Sequence, residues 1–374
     1  IMDYKKITFN CEVITPMFMY GADRQIPELR PSEFKGMMRF WWRAIKAEDD
    51  IKKLWEEEAK IFGAADERFG KSKVKVILNW DKKKFEEKIE QDSKNWLKKN
   101  LKNYPGVKYL LYSIGLNSQE FLLPGFEFEV ILSSPDEEIL KIAVASFWCL
   151  VFLGGVGTRA RRGGGNLRVR QVKEGKEILN GIEFEIKGEI EEWFKRNLEK
   201  IKQIISSQNK ETNYTSLPKG KIFIFDPFNS WEEALNKIGE HFRNFRKRKN
   251  PDYSFVKEYL ISGRIPSYIE KVEFGLPLSY RFKSLNKSAI IEGADKERQR
   301  SASPLIFKVI EQDQKFYPLI VVLNKSYLLD KKDKLKIRDT SKEKRQKAQN
   351  FFYRPTRIIN DFLSTLQKCR RISL

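Results

Sequence analysis

The chain has 374 residues, 41% hydrophobic and 13% aromatic, which is enough for two or three folded domains and too apolar for a disordered tail. Its 72 Lys and Arg against 51 Asp and Glu leave a formal net charge of +21, pointing to a polyanionic partner, either nucleic acid or an anionic membrane surface. The one histidine, His241, excludes zinc fingers, two-histidine nucleases and His-carboxylate metal clusters, and three scattered cysteines, Cys11, Cys149 and Cys369, form no CxxC pair and suit a reducing compartment.

In chain order, Met2-Asp3-Tyr4-Lys5-Lys6 leads directly into a strand-like run, so no signal peptide is expected. Ile7, Phe9, Cys11 and Val13 share one face at period two, and Pro16 ends that strand. After a polar loop, Ser32 stands at an N-cap position, and Phe34, Met37, Met38, Trp41, Trp42 and Ile45 repeat at helical spacing. A Lys- and Glu-rich helix to Phe62 is stopped by Gly63. A strand is predicted at Val74–Trp80, a charged helix at Phe85–Leu101 and an alternating strand at Phe126–Leu132. Asp136–Leu153 reads as a helix buried on most sides, closed by Gly154-Gly155. Its apolar run from Ile139 is broken by Lys141 and falls short of the ~18–20 residues that span a bilayer. Leu167–Val172 resumes as a strand. Polar residues from Lys202 to Gly220 suggest a linker. Beyond it, strands are expected at Lys221–Phe225, Val272–Phe282, Pro304–Ile310 and Tyr317–Leu323, with a hairpin turn at Gln312-Asp313-Gln314. Helices are expected at Ser230–Lys247 and Pro355–Leu366. This order of elements implies an α+β sandwich with helices on one face of an antiparallel sheet.

Several constellations could carry chemistry. In Gly154–Asn166, the residues Gly155, Gly157 and Ala160 match G-x-G-x-x-A, a dinucleotide fingerprint that requires a strand before it and a helix after it. Gly163-Gly164-Gly165 follow at once and oppose a helix, so no dinucleotide cofactor is expected. The glycines instead allow close backbone approach, with amide N–H groups presented to a ligand. Five arginines, Arg159, Arg161, Arg162, Arg168 and Arg170, have no acidic residue among them and suit bidentate phosphate contact. The bland alternative is a solvated turn. In Arg30–Arg43, Lys35, Arg39 and Arg43 form a stripe at i, i+4, i+8, roughly extended by Lys46, with no carboxylate between Phe34 and Ala47 to neutralise it. That stripe is either an RNA-facing surface or the wet side of an amphipathic helix. Trp41 and Trp42 could stack on bases, although aromatics at helical spacing are more often core. Arg298-Gln299-Arg300 forms a basic loop feeding a strand. The basic runs Arg243–Lys249 and Lys331–Lys347 read as solvated. His241 reads as structural, and pairs such as Asp49-Asp50 as solvent-facing, so neither a metal site nor an acid-base constellation is expected.

Arg-Pro-Ser-x-Phe-Lys-Gly-x-x-Arg-Phe-Trp-Trp-Arg at Arg30–Arg43 resembles the N-terminal signature of RAMP proteins, the repeat-associated proteins of CRISPR effector complexes. The Gly154–Gly165 stretch resembles their glycine-rich loop. Tandem Trp41-Trp42, the length and the run Arg300–Leu305 are similar to the first-numbered RAMP subunit of the type III-B (Cmr) complex. The resemblance implies an α+β fold of two tandem ferredoxin-like, RRM-related domains with helical insertions, expected here at 1–205 and 206–374. It also implies a non-catalytic, cytoplasmic subunit that contacts the crRNA 3′ region, target RNA, or both, through backbone phosphates, alongside other subunits and without a membrane. Carried over, the RNA-binding roles fall on Gly155, Gly157, Arg159, Arg161 and Arg162 in the loop and on Lys35, Arg39 and Arg43 in the helix. Arg298 and Arg300 join them as basic-loop candidates. A metal-independent RNA endonuclease of the same fold, or a purely structural subunit, are the alternatives. Some relatives cut RNA with histidine, but His241 lies outside the motifs, so catalysis is not carried over.

Overall fold

A computed structural model describes residues 4–113, 119–248, 251–325, 333–341 and 348–374. Two compact units emerge. One comprises Ile1–Glu240, Ile306–Asn324 and Lys368–Leu374, the other His241–Leu305 and Lys325–Gln367.

The first unit opens with strand Lys5–Val13, whose Ile7, Phe9, Cys11 and Val13 are fully buried as the period-two pattern requires. Helix Pro31–Lys46 follows, with Pro31 preset for a helix start, and then the separate helix Ile51–Phe62. Asp50 caps that second helix by accepting from the amides of Lys52 and Lys53, so this acid is a structural cap. Strands Lys75–Asn79 and Glu127–Ser134, helix Glu137–Phe152 and strand Leu167–Glu174 complete the first sheet. Numbered along the chain, its four strands lie in the order two-three-one-four, all antiparallel. With a helix after strand one and another after strand three, this is the ferredoxin-like arrangement. Both helices cover one face: Phe34 meets Phe128 at 5.9 Å between ring centroids, and Phe147 meets Phe9 at 4.8 Å.

The sheet built from Ser216–Phe225, Leu305–Gln312, Lys315–Asn324 and Cys369–Ser373 repeats the two-three-one-four order. Its hairpin turn lies where expected. Asp313 and Gln314 take φ values of 51° and 60°, the left-handed pair of a tight hairpin turn whose twist matches the strands.

The second unit holds a third four-stranded antiparallel sheet, Gln349–Phe352, Lys334–Asp339, Lys287–Gly293 and Leu278–Phe282, over a core of Val256, Leu260, Val272, Phe282, Ile291, Leu335 and Ile337. The sequence reading did not separate this sheet. The expected strand Val272–Phe282 is a 3-10 turn at Glu270–Phe274 followed by a strand only from Leu278.

Other differences have local causes. Phe85–Leu101 splits into helix Lys82–Glu87 and helix Ser93–Asn100, because Asp92 is a better cap than a mid-helix residue. The polar stretch 202–220 is only partly a linker. An amphipathic helix runs from Ile190 to Ile205, and strand pairing starts at Ser216. No described helix is long and apolar enough to cross a membrane.

Candidate nucleic-acid interface

The glycine loop leaves the buried helix at Gly154 and folds back on itself. Gly157, Gly163 and Gly165 have positive φ, and a Cβ at Gly165 would sit 2.0 Å from the Val156 carbonyl oxygen. Instead of waiting for a ligand, most loop amides are already bonded. Val156 donates to the Gly165 carbonyl at 3.0 Å, Thr158 to Phe18 at 2.7 Å, Gly165 to Pro16 at 2.8 Å and Gly164 to Arg159 at 3.1 Å. The expectation of an open amide is corrected at Gly157, and Gly155 lies out of solvent. Gly155 is buried against Asn166 and Gly164, and the Gly157 amide donates to Glu33 Oε1 at 3.3 Å. These glycines shape the turn and let it pack closely. The dinucleotide pattern fails on geometry too, since a helix precedes it and turns follow.

The loop lies against the N-terminal helix. Besides the Glu33 contact, Gly154 backs onto Trp41, where a Cβ would be 2.6 Å from the indole nitrogen, and the Arg161 guanidinium lies 5.0 Å above the Phe40 ring. Loss of solvent pushes the Arg161 pKa down to about 10, which still leaves it charged at neutral pH. Arg162 lies over Phe307 at 5.3 Å, and Arg159 over Tyr112 at 4.9 Å with its Nε donating to Ser113 Oγ at 2.6 Å. Two of the five arginines leave the set. Arg168 pairs with Glu12 at 2.6 Å and with Glu311, and Arg170 pairs with Glu12 and, at 3.8 Å, with Glu127.

The helix stripe is compensated from elsewhere in the chain. Glu58 of the following helix, 3% exposed, accepts from Arg39 Nε at 2.5 Å and Arg43 Nη1 at 2.7 Å. Two guanidiniums on one carboxylate leave one net positive charge. Lys46 is buried and paired with Glu57 at 2.7 Å. Lys35 is half-buried, and burial together with the neighbouring Arg39 lowers its pKa. Trp41 and Trp42 are 0% and 1% exposed, which removes them as stacking surfaces.

One residue escaped the sequence reading. Lys308 lies inside the apolar strand run Leu305–Ile310, is fully buried, and donates through Nζ to the Gly154 carbonyl at 2.7 Å. Burial lowers its pKa to about 7. Its neighbours also hold the loop: Val309 donates to Asn166 Oδ1 at 2.8 Å and Phe307 to the Arg161 carbonyl at 3.2 Å. The signal was a single lysine in an otherwise apolar strand.

In the second unit, Arg298 is exposed and pairs with Asp333 at 3.6 Å, and Arg300 is exposed. His241 Nε2 lies 2.8 Å from Thr365 Oγ1, with its ring 5.7 Å from that of Phe362. Of the two basic runs, Lys249, Lys331, Lys332 and residues 342–347 lie outside the described residues. Arg246 covers the Phe242 ring at 5.5 Å, and Lys336 pairs with Glu292 at 3.2 Å. Among the described residues no group of three or more His, Cys, Asp or Glu side chains could hold a metal ion.

A doubled ferredoxin-like strand order with a basic glycine loop packed on the first helix defines the class: an α+β protein built on RRM-related domains. Residues 10–168 match the family model of the RAMP superfamily. The chain is 31% identical over 331 residues to the CRISPR system Cmr subunit Cmr1-1 of Pyrococcus furiosus, covering 84% of this chain and 86% of that protein. It is also 35% identical over 184 residues to Cmr1-2 of the same organism, 44% of this chain and 96% of that one. The crystal structure of Cmr1 from Pyrococcus furiosus in its apo form superposes with a TM-score of 0.66 at 24% identity, covering 98% of each chain. A chain from a cryo-EM structure of the type III-B Cmr-beta complex bound to cognate target RNA superposes with a TM-score of 0.52 at 15% identity, covering 85% of this chain and 94% of that chain. The chain belongs to the Cmr1 family of the RAMP superfamily.

Proposed function

We propose that the chain is a non-catalytic RNA-binding subunit of a cytoplasmic, type III-B CRISPR RNA-guided effector complex, gripping guide RNA, target RNA or both through backbone phosphates. The observation that carries this reading is the meeting of two basic segments that lie far apart in sequence: the Arg161 guanidinium rests on Phe40, next to Arg39 in the helix that bears Lys35, Arg39 and Arg43, while Arg159 and Arg162 flank it in the same loop, over Tyr112 and Phe307. Phosphate contact is the role a set of arginines without base-reading partners serves best, because guide–target pairing reads the sequence. Arg298 and Arg300 belong to the same proposal as a second basic surface. Gly155 and Gly157 act in it by shaping the loop. The relative of known structure in the Cmr-beta complex is part of an assembly bound to target RNA, which supports RNA and sister subunits as partners.

The endonuclease alternative would rest on His241, whose Nε2 is engaged by the Thr365 hydroxyl beside an aromatic cluster. Loss of metal-independent RNA cleavage in H241A would establish it.

The test is binding of single-stranded RNA over a salt series. Each phosphate contact contributes roughly −0.7 to the slope of log K against log salt. Changing Arg159, Arg161 and Arg162 together to Ala is expected to weaken binding of all sequences alike and flatten that slope. Unchanged affinity and slope refute the loop's role, and a flat wild-type response points to a protein partner.

A further inference from the structure

Helix Ile51–Phe62 turns Leu54, Glu58, Ala59, Ile61 and Phe62 inward. Its outer side shows Trp55, 39% exposed and the one exposed tryptophan of the eight in the chain. The turn that follows is pinned beside it. The Gly63 amide donates to Ala59, Ala64 to Gly70, Gly70 to Asp66, and Lys73 back to Ile61, at 2.9 to 3.3 Å. Gly63 has a φ of +77°, and a Cβ there would meet the Ser72 amide nitrogen at 2.5 Å, so the turn has one tight conformation. That turn delivers Phe69 edge-on to Trp55, ring centroids 5.3 Å apart and planes at 89°. Arg68 spans both rings, its guanidinium carbon 5.8 Å from the Trp55 centroid and 5.2 Å from that of Phe69. Asp66 takes the guanidinium by its edge, at 3.1 Å from Nε and 2.9 Å from Nη2. The flat faces of the guanidinium are thereby left to the rings.

We propose that Trp55, Phe69 and Arg68 form a stacking platform for an unpaired nucleobase of single-stranded RNA. The proposal rests on the RNA-binding reading above and adds a base contact to its phosphate contacts. Every base has a π-face, so such a platform is indifferent to sequence, as a guide-programmed complex requires. Lys52, Lys60, Lys71 and Lys73 on the same helix and turn are exposed, and among the described residues none has an ion-pair partner. Arg68 also lies 3.9 Å from Glu56, but the four lysines on the helix and turn that carry the two rings leave an excess of positive charge that is complementary to a phosphate backbone, whereas the centre of a protein interface is depleted of such charge.

The full-length chain is titrated with a labelled short oligouridylate over a salt series, alongside W55A and W55F, with the thermal midpoint of each variant recorded. Stacking releases no counterions, so W55A should lose about ten-fold or more in affinity at every salt concentration with the slope unchanged. W55F should keep most of the affinity. Wild-type affinity in W55A overturns the platform while leaving the phosphate reading intact. A W55A slope flattened by roughly 0.7 also overturns it, because the lost contact is then to a phosphate. Intact RNA affinity with loss of sister subunits on purification overturns it in favour of a protein-docking patch. No binding by the wild type overturns both this proposal and the reading it rests on.

Discussion

Replacing Lys308 with Met isolates the energetics of the buried amine beneath the glycine loop. Its side chain is fully buried, its Nζ donates to the Gly154 carbonyl at 2.7 Å, and burial brings its pKa from 10.5 to about 7. In the unfolded chain the amine returns to its ordinary value near ~10.4. Between those two values the unfolded state holds a proton that the folded state lacks. Folding stability therefore rises with pH through this window and is lowest below it. One proton corresponds to about 1.4 kcal/mol per pH unit, so the window from about 7 to about 10.5 amounts to roughly 4–5 kcal/mol. K308M has nothing to titrate there. Measured by denaturant unfolding at a series of pH values, the stability of K308M relative to wild type should be highest near neutrality and fall by about 1.4 kcal/mol per unit as pH rises. Above the window the variant should be the less stable of the two by about 1 kcal/mol or more, because the Gly154 carbonyl has lost its donor. A difference independent of pH between 7 and 10 would refute the buried neutral amine.

G165A forces a side chain into a left-handed backbone position with its Cβ 2.0 Å from the Val156 carbonyl, and should cost at least about 2 kcal/mol in chemical unfolding; near-wild-type stability would mean the loop does not hold this turn. E58Q removes the carboxylate that binds Arg39 and Arg43. It should cost about 1–3 kcal/mol in stability, below the range for fully buried pairs because both arginines are partly exposed, and should raise RNA affinity at low salt. Affinity that stays the same or falls in E58Q would take Arg39 and Arg43 out of the proposed interface.

The two motifs at Arg30–Arg43 and Gly154–Asn166 could be located from residue order alone, because each depends on local features: apolar spacing at a helical period, an uninterrupted cluster of arginines, and glycines where the chain must turn sharply. The same local rules placed all four strands of the first sheet and three of the four of the second to within a few residues, since period-two burial is written into runs such as Ile7, Phe9, Cys11 and Val13, whereas the short, polar C-terminal strand Cys369–Ser373 carries no such pattern and was not anticipated. The inserted sheet of the second unit was not legible. Its strands are short, and the Lys334–Asp339 strand pairs with Lys287–Gly293 across more than forty residues that carry no shared local pattern.

Charge compensation was also beyond local reading. Counting acids within Phe34–Ala47 made Lys35, Arg39, Arg43 and Lys46 look unopposed, yet Glu58 reaches Arg39 and Arg43 and Glu57 reaches Lys46 from the next helix. Counting acids within Arg159–Arg170 likewise missed Glu12, Glu127 and Glu311, which strand pairing brings alongside Arg168 and Arg170. An ion pair depends on distance in space, which is set by sheet register and helix packing rather than by separation along the chain. By itself the sequence determined the family motifs, the α+β class and the excess of positive charge. Tertiary structure decided which of those charges remain for a ligand, turned an expected open backbone cradle into a closed and internally bonded turn, buried Trp41 and Trp42, and left Trp55 on the surface. Burial and register are collective outcomes of how whole sheets and helices pack, and no window of a dozen residues contains them.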